Sequence, residues 1–130
     1  MKTALRILAA LAAACALHAH AQGYPNKAVH VIISFTPGSS TDIVGRIVMQ
    51  KVSEYWGQPV VPENRAGAGG SIGAAVVARA APDGYTLLID SSAHSVTPAI
   101  YARLPYDTLK DFIDVVPLLM FAIAADIGAQ

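Results

Sequence analysis

Charge is scarce in this sequence. Only 14% of its 130 residues are Asp, Glu, Lys or Arg, against about 25% in an ordinary soluble domain. Nine basic residues face nine acidic ones. The basic excess or stripe of an electrostatically driven nucleic-acid binder is therefore missing, so no nucleic-acid partner is expected. Nor does a large net charge oppose collapse of a chain that is 54% hydrophobic, which argues against disorder. Cysteine occurs once, at Cys15. No phosphate-loop Lys follows a glycine run. The length allows one small domain or part of a larger one.

What is present begins with Met1 to Ala21, a segment unlike the rest. Lys2 and Arg6 make a positive start, Ile7 to Leu17 is an uncharged apolar run, and Ala19-His20-Ala21 places small residues where a signal peptidase inspects them. This is the layout of a secretory signal, with cleavage expected after Ala21. As a helix the apolar run would cover about 16 Å, roughly half of a ~30 Å hydrocarbon core, so no stable membrane insertion is expected after cleavage. The small residues Ala12-Ala13-Ala14 before Cys15 lack a Leu at the third position back, and the run continues to Leu17, which favours cleavage over lipid attachment. Removing the segment takes Lys2, Arg6 and Cys15 with it. The exported chain is then mildly acidic and has no thiol, which excludes disulfides, Cys-ligated zinc and a cysteine nucleophile.

Val29 to Phe35 is β-branched and apolar on both faces except at His30 and Ser34, the pattern of a buried parallel strand. Thr36-Pro37-Gly38-Ser39-Ser40 breaks it. From Thr41 to Trp56 an apolar stripe (Ile43, Val44, Ile47, Val48, Val52, Tyr55, Trp56) recurs at helical spacing. Ser40 or Thr41 can cap this helix, Asp42 suits its positive end, and Gly57 stands where a left-handed terminal residue is wanted. Val60-Val61 begins a short second strand, and Asn64 to Gly70 is a glycine-rich loop. Ser71 to Ala81 reads as a second helix, and Tyr85 to Asp90 as a third strand. Ser91 to Ser95 forms a polar loop, and Thr97 to Tyr101 one further helical turn. Strands alternating with helices imply an α/β layer with a parallel sheet. Loops leaving the C-terminal ends of such strands share one edge, where ligands bind. Three loops qualify: Thr36 to Asp42, Asn64 to Ser71, and Ser91 to Ser95. The first two run into helix N-termini, whose free N–H groups and dipole favour an anion.

The run Gly67-Ala68-Gly69-Gly70-Ser71-Ile72-Gly73 superficially resembles a dinucleotide fingerprint, but Asn64-Arg65-Ala66 separates it from its short strand. A tight turn with close helix packing is the plainer reading. His30 lies in a strand and reads as a sheet residue, while His94 in its polar loop reads equally as a ligand contact or a turn residue. Arg65 can hold a carboxylate ligand or pair with Glu63 or Asp90. Asp42 reads as a loop-fixing residue rather than a catalytic one. No nucleophile, base and acid come together in the pattern, and no cofactor or metal is expected.

The motifs Tyr24-Pro25-Asn26-Lys27, Phe35-Thr36-Pro37-Gly38-Ser39-Ser40-Thr41-Asp42 and Gly57-Gln58-Pro59-Val60-Val61 occur in order. They are followed by Glu63 to Gly73, Ala81-Pro82-Asp83-Gly84-Tyr85-Thr86-Leu87-Leu88 and Leu104-Pro105-Tyr106-Asp107. Over about Tyr24 to Val116 the chain resembles the substrate-binding proteins of tripartite tricarboxylate transporters, the TctC or Bug family. The resemblance implies a two-lobed, type II periplasmic-binding-protein fold that closes on a small carboxylate. That carboxylate would be held by loop amides, hydroxyls and bridging waters and delivered to membrane transporter subunits from the periplasm. By position it implies ligand contacts from Phe35, Pro37, Gly38, Ser39, Ser40, Thr41 and Asp42 in the first loop, and from Ser91, Ser92 and His94 after the third strand.

Two departures follow from the same resemblance. Ser39 stands where the family usually has a second glycine, so the backbone there would approach a ligand less closely. Beyond Val116, residues 117–130 form an apolar tail that leaves the family pattern, which itself continues through a second lobe. The expectation is therefore a signal at 1–21, an α/β segment at 22–116 truncated to part of the first lobe, and a deviant tail. Three functions compete: an exported carboxylate-binding protein or part of one, a truncated fragment without ligand affinity, and a small α/β enzyme using Gly67–Gly73 for phosphate or nucleotide.

Overall fold

Two neighbouring strands reach β1 (Val29–Ile33) from opposite sides, and all three run parallel. The computed structural model describes residues 23–118. The expected signal segment with Cys15, and nearly all of the expected tail, lie outside the described residues. After β1 come α1 (Ser40–Trp56), β2 (Val60–Asn64), a 3-10 turn (Ala68–Gly70), α2 (Ser71–Ala78), β3 (Thr86–Ile89) and α3 (Ala93–Ile100). The sheet order is β2-β1-β3. Ile33 pairs with both Asn64 and Ile89, so the three strands stop at one level.

A central parallel strand must be apolar on both faces, and β1 is. Val29, Val31 and Ile33 are fully buried and, with Ile89, receive Met49 and Trp56 from α1. On the opposite side Ala74 and Ala75 of α2 pack with Tyr106, against Leu88, Leu104 and Phe112. Each large side chain enclosed in this way contributes about 1.5–3 kcal/mol. His30 is the exception in β1, being exposed where the strand enters the sheet. Leu118, within the segment expected to leave the family pattern, packs against the β1 cluster.

The expected elements all form, and their ends differ in instructive ways. The cap of α1 is Ser39, one residue before the expected candidates: its extended backbone lets Oγ accept the Asp42 N–H at 3.2 Å. Gly57 closes the helix in the left-handed conformation, with its N–H on Ser53 O at 3.0 Å. The second helix stops at Ala78, three residues before the expected Ala81. Correcting the reading of Ser91 to Ser95 as a loop, α3 starts at Ala93, with the Ser91 Oγ accepting the Ala93 N–H at 3.1 Å. Serine and histidine are weak helix formers, and tertiary packing decides here. The His94 ring meets Phe112 edge-on at 4.9 Å, and Thr97 is buried.

The glycine run is explained by what lies against it. A Cβ on Gly70, whose φ is +94°, would stand 2.8 Å from Asp90 Oδ1. One on Gly73 would stand 2.9 Å from the Arg65 carbonyl oxygen and 3.0 Å from Ser34 Cα. The helix α2 therefore touches the backbone just after β1, at Ser34, and that of the loop before the helix, at Arg65. Gly73→Ala is expected to lower stability by about 1–3 kcal/mol through overpacking against backbone that cannot yield. Gly70→Ala adds the strain of a left-handed alanine, about 1–3 kcal/mol. Gly23→Ala, at a position with nothing within 4 Å, should leave the urea midpoint where it was, and urea titration of the three variants decides the matter.

Candidate functional site

Because Ile33, Asn64 and Ile89 stand level, the loops after all three strands leave the same edge. The joint between β1 and β3 is drawn tight by Ser34. Its N–H and Oγ both donate to Ile89 O, at 3.1 and 3.2 Å.

The first loop is organised around one buried carboxylate. Asp42 is 4% exposed. Its Oδ2 accepts the Gly38 N–H at 2.9 Å, and its Oδ1 accepts Arg46 Nε and Asn64 Nδ2, each at 2.8 Å. Asn64 Nδ2 also donates to Phe35 O at 3.0 Å, and Asn64 Oδ1 accepts an Arg46 terminal nitrogen at 2.6 Å. The Gly38 N–H, then the Asn64 amide and Arg46, hold the Asp42 carboxyl below the usual carboxylate value. The loop is thus tied both to its own helix and to the end of the neighbouring strand.

This network also sorts the sequence-predicted contacts. The Gly38 N–H and the Asp42 carboxylate are already engaged, and the Ser39 hydroxyl is the helix cap. Ser39 therefore does something a glycine could not, by accepting the Asp42 N–H. Among the described residues, the Ser40 and Thr41 N–H groups and hydroxyls have no acceptor or donor in the protein, and they form the first turn of α1. Phe35 is half-buried and its carbonyl is held by Asn64, while Thr36 and Pro37 are exposed.

At the third loop, Asp90 Oδ1 accepts the Ser91 N–H at 2.7 Å. Ser92 is exposed and makes no side-chain capping bond. His94 is not on an open loop: it lies in the first turn of α3, its side chain 19% exposed, between Asp90, Tyr106 and Phe112. Of the partners considered for it, Arg65 pairs with Glu63 at the surface. Between these two loops the glycine turn presents Gly70 directly to the Asp90 carboxylate.

Asn64 and Arg46 were not singled out from the sequence. Arg46 could have been found from its i+4 spacing to Asp42 on one helix. Asn64 carries only a weak signal, a polar residue ending a strand, because its partners lie 18, 22 and 29 positions away. Among the described residues no group of three His, Cys, Asp or Glu side chains could hold a metal, and no helix is long and apolar enough to cross a membrane. What the edge can do chemically is receive an anion at the α1 N-terminus.

Comparison with known proteins gives this edge a context. Residues 44–126 match the family model described as the tripartite tricarboxylate transporter family receptor. Protein BugT of Bordetella pertussis is 41% identical over 107 residues, covering 77% of this chain and 33% of that relative. A UPF0065 protein encoded in the tcbD-tcbE intergenic region of Pseudomonas sp. is 43% identical over 93 residues, covering 72% of this chain and 28% of the relative. Among solved structures, one described as a periplasmic transporter superposes with a TM-score of 0.65 at 54% identity, covering 68% of this chain and 30% of the other. MatC of Rhodopseudomonas palustris, solved with bound malate, superposes with a TM-score of 0.62 at 38% identity, covering 68% and 31%. A second R. palustris protein, solved with adipate, gives 0.58 at 33%, covering 67% and 29%. The chain spans about a third of the length of the relatives it matches. The mixed α/β fold with its parallel sheet is that of part of a periplasmic binding protein, and the chain belongs to the tripartite tricarboxylate transporter receptor family.

Proposed function

We propose that this chain is an exported solute-binding receptor, or the first-lobe part of one, that captures a small carboxylate in the periplasm for membrane transporter subunits of the tripartite tricarboxylate type. The observation that carries this reading is the pair of N–H groups at Ser40 and Thr41, held on the strand-end edge by the Asp42 network. A carboxylate seated there would gain charge-assisted hydrogen bonds and the favourable end of the helix dipole. Support comes from relatives solved with malate and adipate. In this reading Ser40 and Thr41 contact the anion, with Ser92 offering a hydroxyl from the neighbouring loop and Phe35 and Pro37 shaping the entrance. Gly38, Ser39 and Asp42 hold the loop in position, and Ser91 and His94 set the start of α3.

The enzyme reading of Gly67–Gly73 finds no support. The Asp90 carboxylate lies against Gly70, and Ile72 occupies the space a side chain on Gly67 would need. A negative charge under the glycine turn repels a phosphate. The receptor reading also needs no catalytic group.

Titration calorimetry and thermal unfolding with malate, adipate and citrate test the proposal. A ligand at a hundred times its Kd should raise stability by about 2.7 kcal/mol. No heat and no stabilisation with any of the three would leave a fold without affinity. Ser40→Pro is the sharper probe. Proline suits the first helical position and Ser39 is already extended, so the fold should keep its stability while losing one anion donor. Carboxylate affinity is expected to fall about 10- to 100-fold, the worth of one charged hydrogen bond of about 1.5–3 kcal/mol; unchanged affinity removes Ser40 from the site. Asp42 makes a pH prediction. Its folded value is depressed, so its stabilisation is present above the unfolded value of about 3.9 and is lost as pH falls through the folded value. Urea midpoints measured from neutral pH down to about pH 3 should fall less steeply in Asp42→Asn than in the original chain.

A further inference from the structure

The donors at Ser40 and Thr41 share their helical turn with a buried negative charge. Asp42 is ionised at neutral pH, because its partners hold it below the usual carboxylate value. Its carboxylate bends back past the helix cap, where Oδ2 accepts the Gly38 N–H at 2.9 Å. A helix N-terminus is equivalent to roughly +0.5 of an elementary charge. A full negative charge in the same turn outweighs it, so this loop alone would repel a carboxylate. The compensating charge is Arg46, one turn further along α1. Its Nε lies 2.8 Å from Asp42 Oδ1, and a terminal nitrogen donates to Asn64 Oδ1 at 2.6 Å. Other charges at the strand-end edge do not serve. Arg65 is paired with Glu63, and Asp90 has no lysine or arginine partner among the described residues.

We propose that Arg46 sets the affinity of this site for a carboxylate by cancelling the charge of Asp42, acting through Asp42 and not by touching the ligand. The inference rests on the receptor reading above and assigns Arg46 a positioning role within it. With Arg46 in place the pair sums to zero, and the helix end keeps its partial positive charge. Without it the turn becomes a net negative charge facing an anion. The Arg46 side chain is 45% exposed, so it fills no core, and a neutral side chain can replace it without opening a cavity. The same rule separates the two strand-end turns. The glycine turn lies against the Asp90 carboxylate with no lysine or arginine beside it, whereas the first turn of α1 has its cation built in.

Calorimetric titration with malate, adipate and citrate, compared across the full chain and three variants, tests it. Arg46→Gln keeps a donor for Asp42 but drops the charge. Arg46→Lys keeps the charge but loses the planar fork that spans Asp42 and Asn64. Lys51→Gln removes a cation from the far half of α1, where it pairs with Glu54, and controls for net charge. Carboxylate affinity should fall about tenfold in Arg46→Gln. It should stay within about threefold of the original in Arg46→Lys and be unchanged in Lys51→Gln. Salt gives the second readout. From about 0.01 M to about 0.1 M salt the Debye length shortens from about 30 Å to about 10 Å. Affinity should fall over that range in the original chain and in Lys51→Gln, and hold or rise in Arg46→Gln, where attraction has become repulsion. Unchanged affinity in Arg46→Gln overturns the proposal. So does an equal loss in Arg46→Gln and Arg46→Lys with the original salt slope, which is the pattern of a structural role. If Arg46→Gln does not fold, Arg46→Lys decides, and a loss of about tenfold or more there overturns the charge assignment. An original chain that binds none of the three carboxylates overturns the receptor reading itself, and this inference with it.

Discussion

Everything at the strand-end edge depends on the double pairing of Ile33. One residue of the central strand faces Asn64 on one side and Ile89 on the other, and that shared register makes three separate loops neighbours. It is enforced by burial, since Val29, Val31 and Ile33 of β1 share one core while Ile32, on the other face of the strand, is buried as well. A slip of one residue would reverse those faces and place Ser34 among the apolar groups under α1. The hydrophobic pattern of β1 thereby sets the geometry of a polar site built on the loops beyond it.

On that platform the first loop is made rigid by polar means. Asp42 meets a backbone amide, a guanidinium and a side-chain amide, drawn from the loop, the helix and the adjacent strand. Each partner lowers the cost of burying its charge, and together they leave the next donors along the helix uncommitted. The two roles are complementary: residues that fix the loop are consumed by the protein, and those beside them remain open. The third loop follows the same division, with Asp90 and His94 turned inward and Ser92 outward.

The strand and helix order was legible because each element carries a local signature: β-branched runs, an apolar helical stripe, a terminal Gly57. The role of Asp42 as a loop-fixing residue was legible for the same reason, since it stands at the start of a helix. Asn64 was not, because its meaning depends on Phe35 and Asp42, which only the parallel pairing brings near. The residues 91–95 misled in the other direction. Their polar composition describes a loop, and only the aromatic wall of Tyr106 and Phe112, formed by chain well downstream, turns them into helix. The glycine run was correctly weighed as packing, but the residues that demand it, Asp90 and Ser34, could not be named from the sequence.

Pro62 gives the sheet a direction of growth. In β2 the N–H groups of alternate residues turn toward β1, as Arg65 shows by donating to Ile33 O; Pro62 falls in the outward set. The outer rim of β2 is therefore missing a donor at its midpoint, where a further strand would need one. The outer rim of β3, with Thr86 and Leu88 facing away from β1, has no such interruption and carries no strand among the described residues. The two flanks of the sheet are therefore unequal templates, the β2 rim lacking a donor where the β3 rim keeps its full set.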